Sequence, residues 1–66
     1  MTREETNNWI VNIENAASFI SSEIGDETVE ATLYKYGVRS IKRIASSDLS
    51  SVFSELYAIE ADLRSG

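Results

Sequence analysis

The chain has no proline in its 66 residues, and its three glycines stand at positions 25, 37 and 66. Proline and glycine are the strongest local breakers of regular structure, so two internal glycines leave long stretches free to coil. Between them the apolar residues recur at spacings of three and four, the period of one helix face, and no stretch alternates as a half-buried strand would. The pattern predicts an all-α fold, a small helical bundle forming a single domain over residues 1–66. Two long helices, about 3–24 and 48–64, bracket a short helix at about 27–36 and a helical turn at about 40–45.

Local signals set the expected boundaries. Thr2 followed by Glu5 matches a capping box, in which hydroxyl and carboxylate satisfy orphan amides at a helix start. Trp9, Ile13, Ala16, Ala17, Ile20 and Ile24 then form one stripe, and Gly25 suits a left-handed cap. Asp26 is the expected N-cap of the second helix, with Glu27 and Glu30 where a helix start favours negative charge. Val29, Leu33 and Tyr36 share its apolar face, Lys35 lies in its last turn, and Gly37 ends it. Ser40 is placed to cap a turn carrying Ile41 and Ile44. After the polar break at Ser46, Ser47 and Asp48, a third stripe runs through Leu49, Val52, Phe53, Leu56, Ile59 and Leu63, with Arg64 closing the helix.

A chain this short buries only about 60% of the surface that its unfolded form exposes. Neither Cys nor His is present, so disulfides and Cys/His zinc sites are excluded, and packing must hold the fold. The same absence removes most nucleophile–base pairs and transition-metal sites. No glycine-rich phosphate loop or calcium loop occurs, and the acidic group Asp26, Glu27, Glu30 reads as helix-start electrostatics. The expectation is a protein that is not an enzyme, with no cofactor, no metal and no small-molecule substrate. "MTREETNNWI" has no apolar run after its charges, and no window approaches the ~20 apolar residues of a membrane span. A cytoplasmic protein without membrane contact is expected.

Three features bear on binding. From Thr6 to Ser22 the only charge is Glu14. The side of the first helix opposite its stripe carries Val11, Asn15, Ser18 and Ser22, with Phe19 alongside, where an ordinary exposed face would hold many Glu and Lys. These five are the candidate protein-contact residues, for a second copy of the chain or another protein. Second, at about 100° per residue Glu60 falls among the apolar positions of the last helix. It is expected to form a rim pair with Lys35 or Arg39, or with the hydroxyl of Tyr34 or Tyr36. Third, Lys35, Arg39, Lys42 and Arg43 are four of the six cations, and they are the candidate contacts for the alternative of a minimal DNA-binding regulator. A helix-turn-helix needs a small residue four before the turn glycine and an apolar one six after it. Leu33 and Arg43 stand there instead, and "SIKRI" is short for a reading helix. A net charge of −5 also opposes phosphate binding, so nucleic acid is not the expected partner.

The strings "KYG" at 35–37 and "VFSELYAIEADLR" at 52–64 resemble short orphan proteins encoded on conjugative transposons of Firmicutes, over about residues 28–65. The Lys42–Arg43 pair departs from that pattern. The resemblance implies residence on a mobile genetic element and no particular activity, so the functional expectation is an accessory or regulatory protein acting through protein–protein contacts.

Overall fold

The computed structural model describes residues 2–66 and contains three α-helices: α1 (Arg3–Ile24), α2 (Glu27–Lys35) and α3 (Leu49–Ser65). Two 3-10 turns, Ile41–Arg43 and Ser46–Asp48, occupy the connection between α2 and α3. No strand occurs among the described residues, and no helix is long and apolar enough to cross a membrane.

The capping box forms as expected. The Glu5 amide donates to the Thr2 hydroxyl at 3.1 Å, and the Thr2 amide donates back to the Glu5 carboxylate at 3.4 Å. The second helix also ends as expected, one residue early. The Gly37 amide donates to the Tyr34 carbonyl and the Val38 amide to the Leu33 carbonyl, at 3.0 and 3.3 Å. That pair of bonds is a Schellman ending, with Gly37 at φ +75° in the required left-handed position. Gly25 also has positive φ, 90°, but its ψ of 175° lies in the mirror of the extended region, not the left-handed helical one. Asp26 does not act as the expected side-chain cap. Its backbone is already helical, at φ −80° and ψ −18°, whereas a capping side chain reaches the N2 or N3 amide from extended backbone. Ser40 has the extended backbone but makes no side-chain cap bond either.

The core joins Ile13, Ala17 and Ile20 of α1 to Leu49, Val52 and Leu56 of α3, with Val29 and Leu33 of α2 closing one side. The most extensive packing is between α1 and α3, and these two helices run parallel. Trp9, early in α1, meets Phe53, early in α3, edge to face at 5.7 Å between ring centres, while Phe19 lies beside Arg64 at the far end. α2 packs against both on one side, and the connection carries the chain back to the start of α3. Because α3 ends level with Phe19, α1 overruns it by about a turn, and Ile24 is 50% exposed. Its place in the sequence stripe is therefore not a place in the core. Thr32 is buried where no apolar stripe predicted a residue, and its hydroxyl donates to the Thr28 carbonyl one turn back at 3.0 Å, which removes the penalty of burying a polar atom.

Candidate contact surface

Burying the α1 stripe against α3 and α2 turns the opposite side of α1 outward. Val11, Asn15, Ser18 and Ser22 are all exposed, Val11 by 52%. Ser22 donates its hydroxyl to the Phe19 carbonyl at 3.0 Å, so part of the polarity that the sequence offers there is consumed within the helix. Phe19 does not belong to this open face. It is half-buried on the α3 side, and the Arg64 guanidinium stacks on its ring at 4.2 Å.

Arg64 is also the partner of Glu60, donating to its carboxylate at 2.9 Å one turn along α3. The expectation that Lys35, Arg39, Tyr34 or Tyr36 would meet Glu60 is thus corrected. Glu60 stays at the rim of the core, 18% exposed at its side chain, because its own helix supplies the cation. The carboxylate that Lys35 and Tyr36 do meet is Glu55. The Lys35 ammonium donates to one of its oxygens and the Tyr36 hydroxyl to the other. The Lys35 bond, then the Tyr36 bond, hold the Glu55 carboxyl below its ordinary value. The bond to Glu55 is likewise the main reason that the Tyr36 phenol is pushed above its own, with desolvation and the Glu55 charge adding to it. A helix wheel of α3 places Glu55 off the apolar stripe and says nothing about it. The signal lay in α2, where a cation and a phenol side by side at a helix end both seek one acceptor.

This clamp ties the end of α2 to α3 and sets the path of the following loop. Lys35 is therefore engaged, whereas Arg39, Lys42 and Arg43 are exposed and make no ion pair among the described residues. Arg39 and Arg43 flank a pocket of about 480 Å³ together with Gly37, Val38 and Ser40. A second depression, about 350 Å³, lies between α1, the start of α2 and the first 3-10 turn. Ala17, Val29 and Ile41 form its apolar floor, Ser18 and Ser21 one wall, and Glu14, Asp26 and Glu30 its rim. Those three carboxylates likewise pair with no cation among the described residues, and no group of three carboxylates there is placed to share a metal ion.

Of the residues singled out in the sequence, Val11, Asn15, Ser18 and Ser22 thus share one open face, Phe19 faces α3, and the four cations divide into one clamped and three free. No protein-family model, curated protein or solved structure matches this chain.

Proposed function

We propose that the protein is a non-enzymatic accessory or regulatory protein that works by protein–protein contact through the outer face of α1. One observation carries this reading. Val11 is half-exposed on a three-turn lane whose other members, Asn15, Ser18 and Ser22, are uncharged and small. Such a lane costs little to desolvate and lets another backbone approach closely, whereas a face kept in water by design would carry charge. The resemblance of residues 28–65 to transposon-encoded proteins supports assigning it to a mobile genetic element, and the absence of cysteine suits the reducing cytoplasm.

A photo-crosslinking residue at Asn15, compared in the producing cell with one at the exposed Ser54 of α3, tests the proposal. Discrete adducts should form from position 15 alone, and Val11→Glu should remove them while leaving the helical spectrum intact. No adduct from position 15 sinks the reading.

Contact with DNA is favoured only by the three unpaired cations Arg39, Lys42 and Arg43. Against it, Lys35 is held by Glu55, and the turn after Gly37 is three residues long, too short to read a major groove. A salt-dependent shift of random duplex by micromolar protein would reinstate it.

A further inference from the structure

Two adjoining depressions carry charge of opposite sign. Ile41 lies on the floor of the acidic groove, and Ser40 next to it and Arg43 two residues on line the basic pocket, so the two depressions adjoin. Three carboxylates, Glu14, Asp26 and Glu30, line one side and two guanidinium groups, Arg39 and Arg43, line the other, with Lys42 exposed beside them. Within one molecule neither set reaches the other, since no ion pair joins them. A patch that is acidic on one half and basic on the other is self-complementary under a two-fold rotation about the line between the halves. We infer that the occupant of the acidic groove is the loop around Arg39–Arg43 of a second copy of this chain, and that each copy fills the other's groove reciprocally.

The inference deepens the protein-contact reading and rests on it, because the groove and the α1 lane share Ser18. A stable dimer covers about 800 Å² on each partner, roughly a fifth of the 4462 Å² surface. Eight residues line the groove, whereas an interface of that size uses about 20–30 a side, so the lane must be covered as well. The apolar floor supplies the area, and the charges supply register: a copy docked the wrong way round brings like signs together. Exposed pairs are screened within about 8 Å at physiological salt, so the dimer is salt-sensitive.

The test is a charge swap read by sedimentation. The wild type should dimerise at micromolar concentration in 50 mM salt, and its dissociation constant should rise by about tenfold or more at 500 mM. Glu14→Lys with Glu30→Lys gives a patch that is mainly basic, and Arg39→Glu with Arg43→Glu one that is mainly acidic. Each variant alone should be a folded monomer, and an equimolar mixture should form the heterodimer. All four sites are exposed. Should either double variant lose its helical spectrum, Glu14→Lys mixed with Arg43→Glu repeats the experiment with one pair.

A wild type that stays monomeric at millimolar concentration in low salt overturns the inference, as does a variant that dimerises alone or a mixture that fails to associate. If position 15 still crosslinks a different protein in that case, the contact reading survives without the dimer. If position 15 crosslinks nothing, both fall.

Discussion

Gly37 is the turn on which the basic loop depends, and its replacement separates backbone cost from packing cost. An ideal Cβ built at Gly37 meets nothing within 4 Å, so Gly37→Ala adds no clash. What remains is the conformation itself: φ of +75° puts an L-residue where its Cβ crowds the following carbonyl, at roughly 1–2 kcal/mol. Alanine also stiffens the unfolded chain, which returns about 0.4–1 kcal/mol. The net loss is therefore about 1 kcal/mol, which in a domain of this size lowers the melting temperature by about 4–8 °C. Gly37→Asn should recover most of that loss, because asparagine enters the left-handed region readily. Gly25 provides the contrast. Its φ of 90° with ψ of 175° lies in a region used by glycine almost alone, so Asn should rescue nothing there. Thermal melts of the four variants by circular dichroism read the whole set. An alanine at 37 as stable as the wild type, or an asparagine that rescues both sites equally, would refute the reasoning.

Leu56 is fully buried, whereas Trp9 is half-buried with one edge against Phe53. Leu56→Ala should therefore cost about 2.7–5 kcal/mol and leave a large unfolded fraction, and Trp9→Ala should cost less, with chemical denaturation ranking the two. For pH, the folded value of Glu55 lies below its ordinary 4.5, so its contribution is present above that value and is lost as pH falls through the folded one. The Tyr36 phenol lies above its ordinary 10.0, so its contribution is present below 10.0 and is lost as pH rises through the folded value. Both groups sit near solvent, so the two limbs are shallow. Glu55→Gln should flatten both in a series of melts across pH, and an unchanged profile would mean that the clamp does not hold the fold.

Local chemistry was the legible part of this chain. The Thr2–Glu5 box, the Schellman end at Gly37 and the three stripes are written in residues three to five apart, and each forms where its spacing places it. Apart from the side-chain caps at Asp26 and Ser40, which do not form, and the left-handed cap at Gly25, which takes another conformation, what failed depended on a helix's neighbours. Ile24 matches the α1 stripe, yet α3 stops a turn short of covering it. Phe19 looked like a member of the open lane until Arg64 closed over it from the end of a helix 45 residues away in sequence. Glu60 needs a partner because of its place among apolar positions, but a helix wheel holds no distances between helices. The same wheel passed over Glu55, whose role exists only because α2 ends beside the second turn of α3. The contact surface was half legible for the same reason. Its uncharged lane is a single-helix property, while the acidic groove requires α1, α2 and a 3-10 turn together.

The parallel course of α1 and α3 separates the ends of the described chain. Thr2 precedes the start of α1 at one pole, and Gly66 follows α3 toward the other, about a turn short of the end of α1, in a body 36 Å long. Compact domains more often bring their termini close together. Here a head-to-tail cyclisation or a circular permutation would need a linker of on the order of ten extended residues to span the body, at ~3.3–3.6 Å each. Conversely, a bulky fusion at either pole lies away from the middle of α1, and a dye pair at the two poles would report the full length of the molecule as it unfolds.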